Sequence, residues 1–245
     1  MISCVLPTAP IDSIVIRASN RSVEAKSDSA PKHSRRVTMV ENTLNSVKCT
    51  AHGGYPAPTL TMKLGRKDIT RHFNQVSIPK LSGEPGLRII TYKTELWTES
   101  FVPQADNDGN KLRCIASVPG LTNNVTAIKL DVHYAPKIKC HSLSVYVGER
   151  NAALRCQIWF KPTITNLYWI IDVNGTTLVE GEDVNGFWIL TAEKEENYRE
   201  SQLIMTRAKP ENFRVYTIVA ENSVAATTRN VELLQSKEGE RDGVG

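Results

Sequence analysis

The residues able to carry chemistry are five cysteines and five histidines in a chain of 245. His33, His52, His72, His133 and His141 are scattered, with no H-x-H or H-E-x-x-H spacing that would aim two imidazoles at one metal, so surface roles are expected for them. No cysteine pair has zinc spacing, and no P-loop, G-x-G-x-x-G or G-x-S-x-G turn occurs. Glu193, Glu195 and Glu196 form an acidic cluster without partner residues, which reads as a solvated turn. The basic segment 32–36 has the charge to touch anionic sugars or lipid, yet it lacks interleaved aromatics, which favours plain loop solvation. The expectation is no catalytic residue, no metal ligand and no cofactor: not an enzyme.

What would have to position any site is a set of strands. Short runs rich in Val, Ile, Thr and aromatics recur between polar breaks, as in Val145-Tyr146-Val147, Leu167-Tyr168-Trp169-Ile170-Ile171 and Val215-Tyr216-Thr217-Ile218-Val219. No amphipathic run with a 3.6-residue period extends far. Turns are expected at Gly53-Gly54, Asp108-Gly109, Asn174-Gly175 and Asn185-Gly186. Asn174-Gly175 is the strongest type I′ hairpin signal, since that turn needs positive φ at both central residues. The fold class is all-β.

Length allows two small domains. The boundary is expected at Tyr134-Ala135-Pro136, where proline would end a strand over 127–132 and set the entry of a new one at Lys137. Residues 1–135 hold 17 Lys+Arg against 11 Asp+Glu, and 136–245 hold 13 against 15, so the overall +4 divides into +6 and −2. That balance is too mild to suggest nucleic acid, and no run reaches the ~18 apolar residues of a membrane span. Pro7 and Pro10 interrupt the first apolar residues and no basic residue precedes them, so the start reads as that of a fragment rather than a secretory signal. Residues 19–36 read as a basic, Ser-rich loop and 235–245 as a flexible tail.

Cys49 and Cys114 lie 65 residues apart, each in a strand-like run. Such spacing suits a disulfide between facing central strands of two packed sheets, worth about 3–5 kcal/mol in the chain-entropy model. Two buried free thiols are the alternative.

At these residues the chain resembles the immunoglobulin superfamily. Gly54-Tyr55-Pro56-Ala57-Pro58-Thr59-Leu60 follows the first cysteine like the proline-marked bend into strand C. Asp106-Asn107-Asp108-Gly109-Asn110-Lys111-Leu112-Arg113-Cys114 is similar to the acidic-Gly turn before strand F. In the second half Trp169 follows Cys156 at the spacing of the family's buried tryptophan, and Tyr216 falls at the tyrosine corner. The resemblance covers about residues 10–234 and implies two tandem Greek-key β-sandwiches, 9–134 and 136–234. Three departures stand out. Met62 takes the tryptophan position of the first half, Leu112 its tyrosine-corner position, and Ile218 the place of the second cysteine in the second half. Met62, Trp169, Tyr216 and Ile218 are thus expected in the cores.

With Ile218 there, Cys156 needs another partner or stays free. Alternation on strand A puts Ile138 and Cys140 on one face, which suggests a bridge from Cys140 to Cys156 and leaves Cys4 as the odd residue.

Three N-x-S/T sequons, at Asn20, Asn124 and Asn174, fall in expected loops or exposed strand edges and imply N-glycans. Trp159, turned outward from Cys156 by alternation, and Trp188 are candidate exposed aromatics, while Trp97 is placed near a sheet edge. The resemblance is to invertebrate adhesion receptors of the fasciclin, nectin and nephrin kind. It implies an extracellular cell-adhesion or recognition module binding a cell-surface protein, or a second copy of itself, through sheet faces, with any membrane anchor outside this chain. Two alternatives are a soluble secreted protein of immune recognition and an intracellular structural pair.

Overall fold

The computed structural model describes residues 8–19, 36–82 and 89–236. Cys4, Asn20, His33, most of the 19–36 loop and nearly all of the 235–245 tail lie outside the described residues. The chain divides into two compact units, Met1–Val132 and His133–Gly245.

The first unit contains β1 (Ala9–Ala18), β2 (Arg36–Val40), β3 (Asn45–Tyr55), β4 (Thr59–Leu64), β5 (Lys67–Asp68), β6 (Asn74–Ser82), β7 (Ile89–Phe101), β8 (Lys111–Ser117) and the first half of β9 (Asn124–His141). One sheet has the order β1-β3-β7-β6; the other runs β5-β4-β8-β9, with β2 paired to β9. Burial along β3, β4, β8 and this half of β9 alternates almost residue by residue. Period-2 apolar patterning therefore points one face of each sheet at a shared core. That core holds Ile14, Ile16, Leu60, Met62, Leu96, Leu112, Ile128 and Leu130.

The second unit takes the rest of β9 and adds β10 (Leu143–Val145), β11 (Arg150–Lys161), β12 (Asn166–Ile170), β13 (Thr177–Leu178), β14 (Asp183–Val184), β15 (Phe187–Glu195), β16 (Tyr198–Arg207), β17 (Val215–Glu221) and β18 (Ala226–Gln235). Its sheets are β14-β15-β16-β11-β9 and β10-β18-β17-β12-β13. Trp169, Tyr216, Phe160 and Leu154 are the largest fully buried side chains between them.

Three expectations are corrected. Pro136 does not end a strand: β9 runs through it. Tyr134 pairs with Lys161 and Lys137 with Trp159, so two residues, Ala135 and Pro136, oppose the single Phe160 at a register shift. The missing N–H of proline thus falls where the ladder is already interrupted. Gly53-Gly54 is not a turn; both glycines lie inside β3 at φ +86° and +91°. Gly53 faces a bulge at Asp12 of β1, whose extra residue displaces the register. Finally, the turn with both central residues at positive φ is Asn185-Gly186, between β14 and β15, whereas at 174–175 only Gly175 is positive. Asp172 overrides the hairpin signal there: its carboxylate accepts the N–H of Asn174 at 3.0 Å and of Thr176 at 2.9 Å.

Candidate functional site

The cysteines form two bridges of different kind. Cys49 on β3 and Cys114 on β8 join the two sheets of the first unit. Met62 stands opposite Cys114 on β4 and is fully buried. Cys140 and Cys156 are directly opposite partners on β9 and β11 and are bonded to each other within one sheet. The sheets of the second unit are joined instead by a hydrogen bond: Trp169 Nε1 donates to Ser201 Oγ at 3.0 Å, both buried. Ser201 stands opposite Cys156, and Ile218 stands opposite Trp169. Tyr216 donates its hydroxyl to the Asn212 carbonyl at 2.9 Å. Burial pushes the Tyr216 phenol up, against the pull of Arg214. Arg214 covers the Tyr216 ring and donates to the Ile171 carbonyl. Sequence reasoning missed Ser201 and Arg214, because a serine within a strand, or an arginine in the bend just before one, carries no signal until its partners across the fold are known.

The candidate aromatics part company. Trp159 is 38% exposed and packs on Tyr198 with ring centroids 5.4 Å apart. Trp188 is half-buried rather than exposed, because it stands opposite Ile204, a residue that alternation turns outward but that is 6% exposed. Trp97 is half-buried on β7, inside the sheet between β3 and β6. Asn174 is exposed in its loop, while Asn124 is half-buried in β9 opposite Ala116. Among the described residues no group of His, Cys, Asp or Glu is arranged to hold a metal, and no helix is long and apolar enough to cross a membrane.

Two surfaces of the first unit differ from the ordinary polar exterior. The first is the β6–β7 hairpin. β6 is the edge strand, and Ile78 (49%), Leu81 (55%), Ile89 (53%) and Ile90 (48%) are all about half exposed, with Val76 beside them. Ile89 and Ile90 are consecutive and so point to opposite faces. This end of the hairpin therefore has half-exposed apolar groups on both sides among the described residues. Pro79 within β6 blunts the strand edge, since proline has no N–H to pair with a further strand.

The second surface is the outward face of β5-β4-β8-β9. Its register sets Lys63 opposite Arg113 and Lys111 opposite Lys129. Across the other side of β4, Lys63 faces Asp68. Thr70 hydrogen bonds, with a smaller contribution from Lys63, hold the Asp68 carboxyl below the usual range. Arg66 and Lys67 add two exposed cations at the β4–β5 turn. Like charges directly opposite each other on a sheet are destabilising, so two such rows side by side are a feature for which folding alone gives no reason.

No protein-family model and no curated protein sequence matches the chain. Solved structures do. The full ectodomain (Ig1–Ig3) of mouse nectin-like molecule 4 superposes with a TM-score of 0.53 at 19% identity, over 94% of this chain and 66% of that one. Dpr2 Ig1-Ig2 in complex with DIP-Theta Ig1-Ig3 gives 0.48 at 22% identity, over 92% and 66%. Titin A168–A169 gives 0.44 at 14%, over 84% and 97%. The chain thus spans just under two thirds of the first two. Paired sheets, buried Trp169 and Tyr216, and the likeness to the nectin-like ectodomain agree on one fold: the chain is a tandem of two immunoglobulin-like β-sandwiches.

Proposed function

We propose that this chain is an extracellular recognition module that binds a protein partner on a cell surface, through the β6–β7 hairpin of its first unit. The observation that carries the reading is the set of half-exposed apolar side chains Ile78, Leu81, Ile89 and Ile90, with Val76 beside them, on one edge hairpin. Val76, Ile78 and Ile89 lie on one face of the hairpin and Leu81 and Ile90 on the other. Half-exposed apolar side chains on both faces of one edge hairpin mark a place where a partner excludes water. Pro79 favours recognition by side chains over addition of a backbone strand. Two disulfides support an oxidising compartment, and the exposed Asn174 sequon is compatible with it. The nectin-like structure is an ectodomain, which is in keeping with this setting.

The test is binding of the purified chain to intact cells and to itself, by flow cytometry and sedimentation velocity, compared with Ile78→Asp/Leu81→Asp. Saturable binding that drops about tenfold or more in the variant is the expected outcome, as for truncation of central apolar contacts. Binding that is unchanged in a folded variant overturns the hairpin as the contact surface.

A further inference from the structure

We propose that the outward face of β5-β4-β8-β9 is a binding site for a sulfated polysaccharide, distinct from the apolar hairpin. The two proposals share only the extracellular setting. Lys63, Lys111, Arg113 and Lys129 occupy neighbouring outward positions on three adjacent strands, as two rows of directly opposed like charge. Strands lie roughly 4.8 Å apart, so the four cations span about 10 Å across the sheet, wider than a single small anion reaches. Arg66 is exposed at the β4–β5 turn, whereas Lys67 stands opposite Leu64 in a row that alternation turns to the other face.

Two carboxylates share the face, Asp68 opposite Lys63 and Asp131 two residues along β9 from Lys129, so the four cations outnumber them two to one. Asp68 receives the Thr70 N–H at 2.9 Å, Asp108 receives the Val132 N–H at 2.8 Å, and Asp131 receives the Thr38 hydroxyl at 3.0 Å. Asp106 lies in the β7–β8 connection, where its backbone carbonyl accepts from Asn110. Among the described residues none of Lys63, Arg66, Lys67, Lys111 and Lys129 is in an ion pair within 4.0 Å. Arg113, half-buried, donates to the Gly65 carbonyl at 3.2 Å, which engages one of its guanidinium nitrogens.

The rest of the face selects the kind of anion. Its other outward residues are Thr59, Thr61, Ile115, Ser117, Val125, Ala127 and the two carboxylates Asp68 and Asp131, with no aromatic among them. Single-stranded nucleic acid wants aromatic platforms for its bases, so the face lacks what that ligand needs. A flexible polymer with a sulfate or carboxylate on nearly every sugar instead presents repeated anions to a flat grid of ammonium groups, and hydroxyls for the threonines and serine. Binding of this type is driven by release of counterions and weakens steeply with salt.

The experiment uses the full chain on immobilised heparin, and in solution with size-defined heparin oligosaccharides, over a range of NaCl. Lys111→Gln/Lys129→Gln removes one row and no hydrogen bond of the fold; Lys63→Gln/Arg113→Gln removes the other. Each is expected to weaken binding at 0.15 M salt by about tenfold or more and to lower the salt slope by about two ions. Lys111→Arg/Lys129→Arg retains binding. Lys139→Gln/Arg150→Gln, an equal charge loss in the second unit, leaves it unchanged. Release of the wild-type chain below 0.15 M NaCl overturns the proposal, as does an equal loss in the second-unit control. Competition by polyglutamate as strong as by heparin also overturns it, in favour of an acidic protein surface. All of these readouts are independent of whether the Ile78→Asp/Leu81→Asp variant still binds cells, so either proposal can fail alone.

Discussion

At Glu95 two opposing effects can be weighed on a single side chain. Burial opposes its ionisation, but the ammonium groups of Lys48 and Lys93, each 2.8 Å away, outweigh that and hold the carboxyl below its usual range. A carboxylate with a lowered folded pKa contributes stability that is present above its unfolded pKa, near 4.5, and is lost as pH falls through the folded value. Urea midpoints between pH 6 and pH 2.5 should therefore fall below about pH 4.5, and less so in Glu95→Gln. Equal slopes for both proteins would remove Glu95 from the acid response. Lys48, Glu95 and Lys93 are easily read in the sequence, but that two lysines from β3 and β7 converge on one carboxylate depends on register.

Turns and bulges show the element scale most clearly. The Asn174-Gly175 dipeptide carries the I′ signature, yet Asp172 captures the amides of Asn174 and Thr176 and selects a different loop. Asn185-Gly186 carries the same signature and adopts positive φ at both residues. Local propensity is a preference of about a kcal/mol, and one well-placed carboxylate is enough to redirect it. The two kinds of glycine can be separated by experiment. A β-carbon on Gly53 would sit 2.8 Å from the Asp12 backbone nitrogen, while one on Gly175 meets nothing within 4 Å. Both positions have positive φ, so Gly175→Ala should cost about 1–2 kcal/mol from backbone strain alone. Gly53→Ala should cost clearly more in urea unfolding, because the clash is with backbone. Equal costs would mean that the bulge at Asp12 relaxes freely.

Across the whole molecule the two bridges do unequal work. Cys49–Cys114 closes 65 residues and ties two sheets, whereas Cys140–Cys156 closes 16 and ties strands that are already hydrogen-bonded partners. The chain-entropy model gives about 4 kcal/mol for the first and about 3 for the second. Removing the first also empties core volume beside Met62. The alanine pair at 49 and 114 should therefore lower the unfolding midpoint of its unit more than the pair at 140 and 156 lowers that of the other, measured by urea with a probe for each unit. The reverse order would show that the within-sheet bridge has an importance its topology does not explain. The second unit retains an inter-sheet tie without cysteine in Trp169 and Ser201.

Period-2 alternation and the order of Cys, Trp and Tyr positions are local properties of the chain, and they suffice for an all-β class and a tandem of sandwiches. That Ile218 leaves Cys156 without its usual partner is legible in the same way. Register is not local. It decides that β9 passes through Pro136, that Ser201 meets Trp169 and that Ile204 shelters Trp188. The candidate surfaces belong to this second class. Apolar residues in β6 and β7 look like core from their types, and only their half-exposed place on an edge hairpin makes them a surface among the described residues. Lysines at 63, 111 and 129 look like ordinary solvated residues until cross-strand pairing sets like charges side by side. Composition gave a bland +4; folding concentrates part of it on one sheet face, because pairing brings together Lys63 and Arg113, 50 residues apart in the chain, and Lys111 and Lys129, 18 apart.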